Sequence, residues 1–230
     1  MKTVVASVAA VLFASTVFAD LSKDEVKRLN ESATILRELR DSPDKGIPQE
    51  LWRRSECVVV IPSMKKAAFV FGGEYGSGVM SCRHQPGWSA PIFMQLMKGS
   101  WGLQIGAQQV DLVLLVMNAR GVDKLLGDKV SLGADMSVTA GPVGRSASAA
   151  TDAQLSAEML AYSRSQGLFA GIDLSGGVLR PDKKADARAY GKSVTARDVV
   201  TGSAPVRAPA DAQAFLTALE RDVRATTGVK

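Results

Sequence analysis

The sequence predicts an α+β fold: an antiparallel sheet, sandwich- or barrel-like, flanked by helices near the N- and C-termini. Three observations predict it. Apolar residues recur at helical spacing near both ends of the chain. Between them, β-branched and apolar runs alternate with Gly-rich turns. Twenty-one glycines and an aromatic content of 6% favour tight turns and close backbone approach over a large aromatic core.

The elements follow in order. Met1-Lys2 is a short basic start, Val4 to Val17 carries no charge, and Val17-Phe18-Ala19 offers small or permitted residues at −3 and −1 for cleavage before Asp20. Residues 1–19 therefore read as a signal peptide, too short for a comfortable membrane span. Residues 21–40 read as a helix with Val26, Leu29, Ala33 and Leu36 on one stripe and a Ser22/Glu25 capping box. Lys23, Lys27, Arg28, Arg37 and Arg40 occupy much of its other side, so the helix either lies at a membrane interface or packs on the sheet. Ile47 to Arg54 is a second short helix.

From Cys57 the period changes. Cys57 to Ile61 reads as a buried strand ended by Pro62. Glu74-Tyr75-Gly76-Ser77 and Lys98-Gly99-Ser100 read as the turns of two hairpins. Val110 to Met117 should be a central strand buried on both faces. Asn118 to Leu126 is a short helix, and Val130 to Ala140 alternates cleanly enough for one half-buried strand. Leu155 to Ser163 and Leu168 to Leu174 are two more strands. Pro181 to Tyr190 is polar and helical, Thr201 to Pro209 a link, and Asp211 to Arg224 an amphipathic helix.

Charge and motif content exclude several chemistries. The net charge is +5, without a dense Lys/Arg block interleaved with aromatics, so no nucleic-acid partner is expected. His84 is the one histidine, which rules out triads and sites built on two imidazoles. Cys57 and Cys82 are either a disulfide or two buried thiols; with His84 they would offer three metal ligands, but no fourth has suitable spacing, and no metal is expected. Gly72 to Gly78 resembles a phosphate loop, yet a strand follows where a helix is required. Gly141-Pro142-Val143-Gly144-Arg145 either holds an anion on backbone amides and Arg145 or is a turn with Arg145 paired to a carboxylate. Glu74, Asp111, Asp135 and Asp173 are scattered, and Asp111 reads as capping or pairing at a strand end. Neither an enzyme nor a cofactor is expected.

Several motifs in one order carry a family resemblance. They are Val58 to Gly73 (VVVIPSMKKAAFVFGG), Gly87-Trp88-Ser89-Ala90-Pro91, Gly102 to Gly106, Asp111-Leu112-Val113, Gly141 to Arg145, and Tyr162 to Gly171. Together they resemble the SYLF domain over about 51–191, within a single domain of 20–230 closed by a helix at 209–226. The resemblance implies a protein that binds anionic phospholipid, as exported bacterial members of the cell envelope do, without catalytic residues. Eukaryotic members bind phosphoinositides and some bind actin; for an exported protein no actin partner is expected. Lys65 and Lys66 stand where the family carries basic residues after the first strand, and they join Arg145, Lys23, Lys27 and Arg28 as expected headgroup contacts. The alternatives are an adaptor working through a protein partner, or a lipid-directed enzyme. Trp88 and Trp101 are either interfacial anchors or core residues beside turns.

Overall fold

The computed structural model describes residues 21–40, 46–68, 71–85, 87–101, 109–143, 156–165 and 168–224. The expected signal peptide, Gly102 to Gly106 and Arg145 lie outside them. The fold is α+β: a curled, mostly antiparallel half-barrel of strands with helices at both ends. Its helices are α1 (Lys23–Arg40), α2 (Gln49–Arg54), α3 (Ala119–Leu125), α4 (Lys183–Tyr190), α5 (Ala196–Thr201) and α6 (Gln213–Arg224). Its strands are β1 (Cys57–Ala68), β2 (Phe71–His84), β3 (Gly87–Trp88), β4 (Ile92–Trp101), β5 (Gln109–Val116), β6 (Val130–Ser131), β7 (Val138–Ala140), β8 (Met159–Ser165), β9 (Leu168–Gly171) and β10 (Gly177–Pro181). The sheet order is β6-β10-β4-β2-β1-β5-β8-β7, with β3 beside β2 and β9 beside β8. Every pairing is antiparallel except β7 with β8. Among the described residues, no helix is long and apolar enough to cross a membrane.

Several strands run longer than the sequence suggests. Glu74 to Ser77 is not a turn: β2 passes straight through it, with Tyr75 paired to Lys65 and to Met97. Lys98-Gly99-Ser100 is likewise the interior of β4. Gly76 and Gly78 serve close packing of the curled sheet rather than reversal. A Cβ on Gly78 would stand 2.0 Å from the Val60 carbonyl oxygen, and one on Gly76 would stand 2.4 Å from Ile61. Pro62 does not end β1 either. Six residues of β1 from Val60 to Lys65 face five of β2 from Val79 to Tyr75, so Pro62-Ser63 forms a bulge, where a residue without an N–H is tolerated. Conversely, Val130 to Ala140 is not one strand. The chain breaks after Ser131, turns at Gly133 (φ 88°), and resumes at Val138. Strand β10 and helix α5 were not legible, being only five and six residues long.

Alternation and register sort the sheet into two faces. Cys57, Val59, Ile61, Met64, Met80, Met94, Leu96, Leu112 and Leu114 share the inner face of the curl, and all are buried. Val58, Val60, Val79, Phe93, Val113, Leu115 and Tyr162 share the outer face, equally buried in its first half. Helix α1 covers that half. Leu29, Ala33, Ile35, Leu36 and Leu39 are buried beneath it, each Leu or Ile side chain contributing about 1.5–3 kcal/mol. The expected capping box is present: the Ser22 N–H donates to Glu25 Oε2 (2.7 Å) and the Glu25 N–H to Ser22 Oγ (3.4 Å).

Polar contacts fix the angle at which α1 crosses. Arg28 donates to Asp182 (3.0 Å), Arg188 of α4 engages Glu25, and Glu38 pairs with Arg164 of β8. Cys57 and Cys82 face each other across β1 and β2 and are disulfide-bonded, their Cα atoms 3.9 Å apart. Their sulfurs therefore serve each other rather than a metal ion.

Candidate interaction surface

Helix α1 does not reach the far half of the outer face, and there the face meets solvent. One row of register partners crosses it: Gln109 of β5, Lys65 of β1, Tyr75 of β2, Met97 of β4 and Val178 of β10. Tyr75 is 45% exposed and Met97 36%, unusual for large apolar side chains beside each other in mid-sheet. Lys65 is exposed. The next row places Ser77, Gln95 and Arg180 side by side. Ser77 Oγ donates to the Tyr75 hydroxyl (2.9 Å), and the Arg180 guanidinium donates twice to Gln95 Oε1 (3.2 and 3.0 Å). Gln95 is neutral, so Arg180 keeps its charge for a partner.

The strip thus has an aromatic–thioether centre and a cation toward each side. Lys65 and Arg180 are three strand spacings and one row apart, about 16 Å along the backbone. That exceeds the screening length of about 10 Å at 0.1 M salt, so each acts on its own. One phosphate cannot bridge them; an extended anionic surface can.

The expected contacts distribute unevenly. Lys65 is on the strip. Lys66 follows it, its backbone opposite Glu74. Lys23 and Lys27 are exposed on α1, Lys27 with Glu31 at 3.7 Å. Arg28, half-buried, spends its charge on Asp182. Trp88 is partly buried against the core, under the Arg83 guanidinium at 4.6 Å from its ring centroid. Sequence reading missed Tyr75, Met97 and Arg180, because it placed Tyr75 in a turn and did not see β10. The alternation Phe93, Gln95, Met97 was the available signal: a methionine on the face that turns polar.

Among the described residues no group of three His, Cys, Asp or Glu side chains could hold a metal. The titratable groups with the largest shifts are structural. Burial pushes Asp186 up to about 7; its Oδ1 accepts from the Phe93 N–H (2.8 Å), while Asp182 and Glu25 repel its charge. Burial also raises the hydroxyls of Tyr162 and Tyr190, the latter donating to the Pro91 carbonyl. At Glu25 burial raises the carboxyl, but Arg188 and Ser22 outweigh it and hold it below the usual range.

A family model described as "Ysc84: Las17-binding protein actin regulator" matches residues 97–222. The "LAS seventeen-binding protein 3" of Saccharomyces cerevisiae is 35% identical over 164 residues, 69% of this chain and 35% of that protein. The human "SH3 domain-containing YSC84-like protein 1" is 32% identical over 196 residues, 82% of this chain and 56% of that protein. "Protein YSC84" of Saccharomyces cerevisiae is 33% identical over 181 residues, 77% of this chain and 38% of that protein. The chain therefore spans between about a third and just over half of the length of these relatives. Their names are those of binding or regulatory proteins, not of enzymes.

Proposed function

The chain belongs to the SYLF family, and from that premise we propose that it is a non-catalytic binding protein of the bacterial cell envelope that meets anionic phospholipid through the exposed strip. The observation that carries this reading is the register row Lys65–Tyr75–Met97, open to solvent beyond α1. A tyrosine presents an apolar ring and a polar tip, the chemistry favoured at a membrane–water boundary. Each basic residue beside an anionic surface contributes about 1 kcal/mol. The N-terminal leader pattern and the disulfide support an exported protein, since such bonds persist in oxidising compartments.

A second reading has its own support. The matching family model is described as a Las17-binding actin regulator, and exposed Tyr and Met are also enriched at protein interfaces. These names give no support to the expectation that actin-linked partners are absent, and it is not carried forward. Vesicle co-sedimentation separates the two readings. Wild type should prefer anionic over zwitterionic vesicles and lose binding as salt rises. The Lys65→Ala/Arg180→Ala variant should bind about thirtyfold more weakly. Equal binding by the variant, or none by wild type at low salt, would sink the lipid reading, and crosslinking to a protein partner would then be the test.

A further inference from the structure

The alternation that begins in β1 would point Met64 outward and Lys65 into the curl. It does not, because the bulge at Pro62-Ser63 inserts one residue and reverses the phase. Met64 is fully buried and Lys65 is exposed as a result. The bulge has a conformational cost. Ser63 is the one described non-glycine residue at positive φ (51°), a region sparsely used by residues with a side chain.

Something must hold that conformation, and one side chain is placed to do so. Asp111 of β5 accepts the Ser63 N–H on Oδ1 (2.9 Å). Its Oδ2 accepts from Arg164 Nη1 (2.7 Å), and the same guanidinium pairs with Glu38 of α1. Asp111 is therefore clamped between β8 and the bulge, four-fifths shielded from solvent.

We propose that Asp111 is a positioning residue for the binding strip: its carboxylate holds the Ser63 bulge, which turns Lys65 onto the strip and Met64 into the core. The lipid consequence rests on the reading above; the positioning role does not. Oxidative footprinting of the full chain, read by mass spectrometry, tests it beside vesicle binding. In wild type the 36% exposed Met97 should be oxidised and the fully buried Met64, Met80 and Met94 protected. Asp111→Ala removes the acceptor, and Ser63→Val forbids the positive φ without touching Asp111. Both should expose Met64 to oxidation, leave Met80 and Met94 protected, and weaken anionic-vesicle binding about fivefold, the effect of one lost cation. Asp111→Asn keeps an acceptor oxygen and Ser63→Gly suits the backbone, so both should behave as wild type. Protection of Met64 in folded Asp111→Ala and Ser63→Val would overturn the proposal. So would oxidation of Met80 and Met94 together with Met64, since that marks general unfolding. Should Asp111→Ala fail to fold, the contrast between Ser63→Val and Ser63→Gly decides. If wild type ignores anionic vesicles while the variants expose Met64, the lipid reading falls and the positioning role stands.

Discussion

Asp186 should make the protein less stable as pH rises through neutrality. Asp186 is 4% exposed, its carboxyl is faced by Glu25 of α1, by Asp182 and Tyr190 around α4 and by the Phe93 N–H of β4, and its Oδ2 has no hydrogen-bond partner; Arg28 and Arg188 engage Asp182 and Glu25 instead. Burial raises it to about 7, whereas in the unfolded chain it titrates near the usual aspartate value. The sign follows from proton binding: between about pH 4 and 7 the folded state holds a proton that the unfolded state has released. Stability from this group is complete at the acid end of that window and is lost as pH rises through the folded value. Three units correspond to about 4 kcal/mol. At about 2–4 °C per kcal/mol for a chain of this size, that is a fall in Tm of about 10 °C. Asp186→Asn cannot ionise and keeps an oxygen for the Phe93 N–H. The assay is urea unfolding of wild type and Asp186→Asn at half-unit steps from pH 4.5 to 8.5. The wild-type curve should fall relative to the variant, and the difference should level off above pH 8. Parallel curves across the window would refute the assignment of a buried, protonated Asp186.

Other perturbations have equally definite outcomes. Arg188→Ala leaves Glu25, fully buried, without its guanidinium, and should cost about 3–5 kcal/mol at pH 7 by chemical denaturation. That penalty should shrink on acidification, because Arg188 and Ser22 hold the Glu25 carboxyl low and a protonated Glu25 no longer needs the cation. Reducing the Cys57–Cys82 bond, which spans 25 residues, should lower stability by about 3.5 kcal/mol, read as the difference in calorimetric Tm with and without reductant. Gly78→Ala drives a Cβ into the Val60 carbonyl and should cost about 3 kcal/mol or more, whereas Gly73→Ala meets nothing within 4 Å and should be close to neutral.

What the sequence determined was whatever depends on local chemistry. The Ser22/Glu25 box starts α1 because both bonds are made within one turn of chain. The apolar run of β5 announces burial on both faces because no polar residue interrupts Leu112 to Val116. The ordered motifs from Val58 to Gly171 placed the chain beside its family. The tertiary structure decided what depends on register and on long-range partners. Glu74 to Ser77 reads as a turn because its glycine is judged by conformational freedom, yet Gly76 and the adjoining Gly78 admit the neighbouring strand at Ile61 and Val60. Arg28 looks like a surface cation until Asp182, 154 residues away, is brought to 3.0 Å. Lys65 faces solvent only because a bulge reverses the alternation of β1, and Tyr75, Met97 and Arg180 join it only once β2, β4 and β10 lie side by side. A strand's period is two, so one inserted residue changes which side chains meet solvent, and no local pattern records how the next strand is registered against it.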